Sequence, residues 1–134
     1  MTYLWDTDTC IYFLNGNTIV AQRAVTCGLS EICITAVTVA ELLFGAYNSR
    51  HVAANVTQIG KLQNAITVLD TITTTVADHF GRNKALLRRS GHPIGDLDLL
   101  IAGFALAHDL TLVTNNVEHF RRIPGLKLEN WIVA

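Results

Sequence analysis

The sequence predicts a three-layer α/β/α fold with a central, mostly parallel sheet of four or five strands, residues 1–134 forming one domain. Three observations predict it. Short β-rich runs alternate with stretches of helical periodicity along the whole chain, the pattern of helices covering a parallel sheet. Those runs are continuously apolar rather than alternating, as in strands buried on both faces. Hydrophobic residues make up 50% of the chain and charged residues 16%, which excludes disorder and supplies a core that needs no staples.

The elements follow in order. Tyr3-Leu4-Trp5 reads as a first buried strand, and Asp6-Thr7-Asp8-Thr9 as residues that cap a helix over 10–14. Asn15-Gly16-Asn17 closes that helix and a second spans 19–27. Ile32 to Thr35 is the second strand. Val39, Leu42, Leu43 and Ala46 recur at helical spacing within a helix over 37–49. A weaker helix covers 55–65, Thr67-Val68-Leu69 is the third strand, and a long helix runs over 72–90 until Gly91-His92-Pro93 breaks it. Leu97, Leu100, Ile101, Phe104 and Ala105 share one face of a helix over 97–108; residues 110–114 and 126–128 are the fourth and fifth strands.

Composition narrows the function. The longest uncharged stretch, residues 9–22, has 14 residues and contains Asn15, Asn17 and Gln22, too short and too polar to span a bilayer. The start, MTYLWDTDTC, lacks a basic opening and carries two acids, so it is not read as a signal peptide. Cys10, Cys27 and Cys33 are odd in number and lack CxxC spacing, which argues against a zinc site or a disulfide framework and for thiols in a reducing cytoplasm. A mean hydropathy of +0.33 is then read as buried strands plus a protein partner. Net charge is −1, but seven of the ten basic residues, Arg82, Lys84, Arg88, Arg89, Arg121, Arg122 and Lys127, fall in the last two-fifths. Arg82, Lys84, Arg88 and Arg89, with Arg121 and Arg122, are either a solvated face or a rail for a phosphate backbone.

The acids carry the chemistry. Asp6 follows the first strand, Glu41 lies in the first turn of the helix after the second, and Asp98 lies in the first turn of the 97–108 helix. Asn116, with Glu118 nearby, follows the fourth strand. In open parallel sheets ligands bind beyond the carboxyl ends of the strands, so these four segments meet at one rim. Each acid also has a structural reading: Asp6 or Asp8 as an N-cap, Thr38 to Glu41 as a capping box, Asp96 as an N-cap and Asp98 as a partner of the helix dipole. Together, converging carboxylates repel one another unless a cation sits between them, and oxygen ligands without a His or Cys cluster suit Mg²⁺ or Mn²⁺ rather than zinc. Such pockets serve metal-assisted phosphodiester hydrolysis. His92, His108 and His119 read as surface or capping groups.

These residues resemble the PIN-domain ribonucleases, in particular the VapC toxins of toxin–antitoxin pairs, over nearly the whole chain. "LWDTDTCIYFL" resembles the family's opening strand and first acid, Asp6; "ITAVTVAELLFGA" its second motif, with Glu41; "HPIGDLDLLIAGFALAHDLTLVTNN" its third, with Asp98 and Asn116; "EHFRRIPGLKLENW" is similar to its end. The resemblance implies a Mg²⁺- or Mn²⁺-dependent endoribonuclease with catalytic residues Asp6, Glu41, Asp98 and Asn116. It also implies metal ligands Asp6, Asp98 and Glu41, a homodimer, a VapB-type antitoxin and a tRNA or rRNA substrate. Asn116 stands where many PIN domains have an acid, and Asp8 where many relatives have Asn or Ser; Asp8 is left as a secondary ligand or a cap. The antitoxin is expected to lay an apolar segment between the early helices around Phe13, Leu43 and Tyr47 and an Arg or Lys over the carboxylates.

Three other readings are weaker. Asp6-Thr7-Asp8 resembles the DxD start of a haloacid-dehalogenase phosphatase, but no well-placed lysine precedes the later acids and no cap domain fits in this length. A response-regulator receiver would need a lysine after "LVT". A PIN fold acting only as an RNA-binding module would not need the Asp6, Glu41 and Asp98 set.

Overall fold

The computed structural model describes residues 1–133. Five strands, β1 (Tyr3–Trp5), β2 (Ile32–Thr35), β3 (Thr67–Leu69), β4 (Thr111–Val113) and β5 (Lys127–Glu129), form one sheet in the order β3-β2-β1-β4-β5, every pairing parallel. The helices are α1 (Thr7–Leu14), α2 (Thr18–Cys27), α3 (Ala36–Tyr47), α4 (Val52–Ala65), α5 (Thr74–Arg89), α6 (Asp96–Ala107) and the single turn α7 (Val117–Phe120).

Alternation along each strand divides the core in two. Trp5, Ile32, Ile34 and Val113 point to one face and pack on Cys10, Val20, Leu42 and Ile59 of α1–α4. Leu4, Cys33 and Leu112 point to the other and meet Val76, Leu87, Leu99 and Phe104 of α5 and α6, with Phe120 of α7. Burial on both faces is why these strands lack polar alternation. The expected three layers and parallel sheet are therefore present, with five strands.

Side-chain caps move several boundaries from where periodicity alone put them. The Asp6 carboxylate accepts from the Thr9 N–H at 2.8 Å, so α1 starts at Thr7 and not at 10. Thr35 accepts from the Thr38 N–H at 3.2 Å, so α3 starts at Ala36. Thr38 is thus already inside the helix, and the capping box expected between Thr38 and Glu41 does not exist; Glu41 sits in the second turn, not the first. Asp96 is the first residue of α6 rather than its cap: the cap position is Gly95 and makes no side-chain bond, while Asp96 pairs with Lys84 at 2.9 Å. α7 and a 3₁₀ turn at Leu29–Glu31 were too short to leave a periodic signal.

One turn aims the third acid. α5 ends in a Schellman motif, with the His92 N–H donating to the Leu87 carbonyl at 2.9 Å and the Gly91 N–H to that of Arg88 at 3.2 Å. Gly91 takes φ of +78°, which a side chain would resist. The chain then folds back so that α6 packs along α5. At that crossing a Cβ on Gly103 would lie 3.0 Å from the Val76 carbonyl oxygen. Gly103→Ala is therefore expected to destabilise the fold: overpacking costs about 1–3 kcal/mol, against about 1 kcal/mol that alanine gains in helix propensity. Urea denaturation checks this; an unchanged or higher midpoint would mean that α5 can slide away from α6.

Candidate active site

Parallel order places β1 between β2 and β4, and the chain reverses its direction of sheet growth between β1 and β4. The crevice at such a reversal opens beyond the strand ends. The Asp6 N–H donates to the Val113 carbonyl at 3.1 Å, so Asp6 is fixed at that crevice by the last rung of the β1–β4 ladder.

Around it lies a polar hollow of about 180 Å³ lined by Asp6, Thr7, Asp8, Glu41, Asp98, Asn116 and Phe120. Four segments far apart in sequence supply them: the β1–α1 junction, the second turn of α3, the first turn of α6 and the β4–α7 junction. Asp6, Asp8, Glu41, Asp98 and Asn116 are brought together as the sequence predicts. Glu118 is not: its exposed carboxylate pairs with Arg121 at 2.9 Å. Asn116 holds the cap position of α7 without a side-chain cap bond. Its N–H donates to the Thr114 hydroxyl at 2.9 Å, a turn that sets the amide at the rim.

Each carboxylate has a distinct environment. Asp6 is buried, and burial pushes its carboxyl above the ordinary value; hydrogen bonding from Thr114 and Thr9 works against that shift and the nearby Asp8 charge adds to it. Burial also raises Asp98, opposed by His119 and reinforced by Asp8. Glu41 accepts from the Thr7 hydroxyl at 2.6 Å. His119 Nε2 stands 3.4 Å from Asp98 Oδ2, and its ring meets Phe120 edge-on with centroids 5.4 Å apart.

Thr7 and His119 are the members that sequence reasoning missed. A lone histidine three residues beyond Asn116 reads as a surface or capping group, because nothing in the sequence says that α7 forms and turns it toward Asp98. Thr7 had one usable signal. The residue after a capping aspartate begins the helix, so its hydroxyl has no capping duty of its own.

The donor chemistry fits a hard divalent cation, since oxygen atoms from carboxylates and one amide surround the hollow. Among the described residues, no three His, Cys, Asp or Glu side chains are disposed to hold one ion between them. Asp6, Glu41 and Asp98 are each engaged by a local partner instead. That excludes an all-protein cage but not Mg²⁺, which takes one or two carboxylates and completes its shell with water and substrate phosphate.

Beside the hollow runs a groove of about 330 Å³ between α1, α3 and α4, lined by Ile11, Leu14, Leu42, Ala46 and Ile59 among others, and Glu41 belongs to both. This corrects the expected groove residues. Phe13 is turned inward against Trp5, with ring centroids 5.1 Å apart; Leu43 packs on the core; Tyr47 is exposed and does not line the groove. Of the basic residues, Arg82 pairs with Asp78 and Lys127 with Asp109. Lys84 and Arg88 border a separate hollow with Pro93, Ile94, Gly95 and Asp96.

The PIN domain family model matches residues 3–126. The chain is 34% identical over 131 residues to the tRNA(fMet)-specific endonuclease VapC of Salmonella typhimurium, covering 98% of each chain. It is 33% identical over 132 residues to ribonuclease VapC2 of Haemophilus influenzae, covering 98% of this chain and 99% of the other. Among solved structures, a chain of the DNA-bound VapBC crystal structure from Salmonella typhimurium superposes with a TM-score of 0.91 at 35% identity over 98% of both chains.

The raised Asp6 carboxyl has a testable consequence. Between its unfolded and folded pKa the native state binds more protons than the unfolded chain, so this group lowers stability as pH rises through that window. Asn keeps the cap and removes the charge. Asp6→Asn is therefore expected to be more stable than the wild type at neutral pH, with the gap closing as pH falls below the window. Urea midpoints measured across mildly acidic to neutral pH check it; a variant less stable at neutral pH would show that the ionised carboxylate holds the crevice together.

Proposed function

The chain belongs to the VapC family of PIN-domain proteins, and on that premise we propose that it is a metal-dependent endoribonuclease, the toxin of a toxin–antitoxin pair. The observation that carries this reading is the polar hollow at the sheet's reversal point, where Asp6, Glu41 and Asp98 arrive from three distant segments. Core packing does not explain the meeting, because gathering carboxylates costs stability unless a cation or substrate compensates it.

Mg²⁺ or Mn²⁺ would take one or two of the Asp6, Glu41 and Asp98 carboxylates directly and reach the others, with Asp8 and Asn116, through its waters. The bound ion supplies an activated water and polarises the scissile phosphate. The chain's own residues orient the donors. Thr9 fixes Asp6 through its backbone N–H, Thr7 fixes Glu41 through its hydroxyl, and His119 flanks Asp98. Phe120, buried beneath the hollow, closes its floor to water. Asn116 contributes a carbonyl acceptor and an N–H₂ donor but no charge. The substrate class is structured RNA, tRNA or rRNA; among the VapC relatives one is named a tRNA(fMet)-specific endonuclease and another a ribonuclease.

The partner reading follows from the groove. A VapB-type antitoxin would seat apolar side chains between α1, α3 and α4 and set a basic residue over the carboxylates; the apolar lining and its junction with the hollow at Glu41 support this. Val25 of α2 and Phe44 of α3, 80% and 72% exposed, are the apolar surface that a homodimer would cover.

Cleavage of a mixed tRNA and rRNA substrate tests the assignment. Cleavage should require Mg²⁺ or Mn²⁺, stop with EDTA, and fall by about a hundredfold or more in Asp98→Asn, in line with the loss of an electrostatic group at a reacting centre. The fold should survive, since Asp98 makes no capping bond. RNA binding without cleavage in the wild type would assign the non-catalytic module instead. Activity that persists in both EDTA and Asp98→Asn would remove the metal hydrolase.

A further inference from the structure

Thr7 makes the shortest side-chain contact in the hollow, and neither helix capping nor core packing accounts for it. It is the first residue of α1, but the cap bond there belongs to Asp6. Its hydroxyl instead crosses to α3, where it lies 2.6 Å from Glu41 Oε1 and 3.1 Å from Thr38 Oγ1. Counting protons fixes the direction of this chain. Thr7 has one hydroxyl proton, and an ionised carboxylate can only accept. A separation of 2.6 Å lies in the range of an O–H···O⁻ bond, so the Thr7 proton goes to Glu41. The Thr7 oxygen is then an acceptor, and the proton between the two hydroxyls comes from Thr38. Thr38 is fully buried, and among the described residues Thr7 is the one hydrogen-bond partner of its hydroxyl. Its hydroxyl therefore depends on Thr7 for a partner, and a buried hydroxyl left without one is costly.

Glu41 has two places to go. Its residue borders both the acid hollow and the apolar groove between α1, α3 and α4. A long carboxylate side chain at that wall has rotamers toward either side.

We propose that Thr7, donating to Glu41 and backed by the buried Thr38 hydroxyl, is a positioning residue that holds the Glu41 carboxylate at the acid hollow and out of the adjoining groove. The role rests on the endoribonuclease reading for its catalytic consequence, but the hold on Glu41 is a property of the protein alone. Threonine and serine both satisfy it; valine has the same shape without the donor.

Thr7→Val, Thr7→Ser and Glu41→Gln in the full chain test it. Side-chain NMR couplings of Glu41, taken without metal or RNA, should report one rotamer in the wild type and Thr7→Ser, and averaged rotamers in Thr7→Val. With RNA and Mg²⁺, Thr7→Val should lower kcat about 10–100-fold, the usual effect of removing a group that orients a ligand, with KM for RNA unchanged. Mn²⁺ affinity measured by calorimetry should weaken in parallel. Thr7→Ser should restore both. In the Glu41→Gln background, Thr7→Val should have little further effect, because both changes act on one unit. A single Glu41 rotamer in Thr7→Val would overturn the proposal, as would a serine variant as impaired as the valine one. Absence of cleavage and of Mn²⁺ binding in the wild type would instead overturn the endoribonuclease reading, and the NMR comparison would still decide the role of Thr7.

Discussion

Everything at the site depends on one backbone constraint, the parallel pairing of β1 with β4 at the point where the sheet changes direction. β2 and β3 extend one side of β1, β4 and β5 the other. The two connections leaving the carboxyl ends of β1 and β4 diverge to opposite layers, and the space they vacate is the crevice. The bond from the Asp6 N–H to Val113 carries the ladder one residue past β1. It thereby sets the first acid just beyond the strand ends, in the wall of the hollow. α3 and α6 then add Glu41 and Asp98 from opposite layers of the molecule. A slip of one residue in the β1–β4 register would turn Trp5 out of its core and Asp6 out of the crevice together. Core packing of Trp5 against Phe13 and Trp131 therefore also guards the site.

The second device is the use of capping residues for two purposes. Asp6 satisfies a free amide of α1 while its carboxylate faces the hollow. The capping reading of that aspartate therefore does not compete with its place at the hollow: one side chain occupies both positions. For Glu41 the two readings did compete, and the structural one failed. Thr35, three residues upstream of Thr38, supplies the cap and shifts the helix start, which leaves Glu41 free of any capping role. At Asp98 the positive end of α6 offsets part of the burial cost, because the Gly95 cap leaves the amides there without a side-chain partner.

What the sequence disclosed follows from these physical origins. Strands and long helices were legible because burial on both faces produces continuous apolar runs, and one-sided burial produces periodicity. Asp6 and Asp98 were legible because one lies just past an apolar strand and the other opens a helix, and strand ends in a parallel sheet share one rim; Glu41 lies a turn further into α3 than its spacing suggests. Contacts between non-neighbouring elements were not. Nothing in the spacing of Thr7 and Glu41 states that α1 crosses α3 at the height where a hydroxyl meets a carboxylate. Nor does His119 announce Asp98 across the α6–α7 gap. Phe13 and Leu43 were assigned to the groove because amphipathic spacing cannot tell the two sides of a short helix packed on both. Ile11 and Leu14, on neighbouring positions of α1, line it instead.

Asn116 shows how the charge of the hollow is kept within bounds. Asp6, Asp8, Glu41 and Asp98 already line one hollow, and the Asp8 charge adds to the rise that burial imposes on both Asp6 and Asp98. A carboxylate at the end of β4 would add a fifth charge, repelling the others and deepening the cost that burial imposes on Asp6. An amide at this position costs no such repulsion. It also brings an N–H₂ donor beside its carbonyl acceptor. The same logic explains why the donors stand apart, each with its own partner: Thr9 for Asp6, Thr7 for Glu41, His119 for Asp98. Individual partners spread the carboxylates and satisfy them singly. The protein can then fold with the hollow formed, and the residual repulsion is available as affinity for whatever positive charge enters.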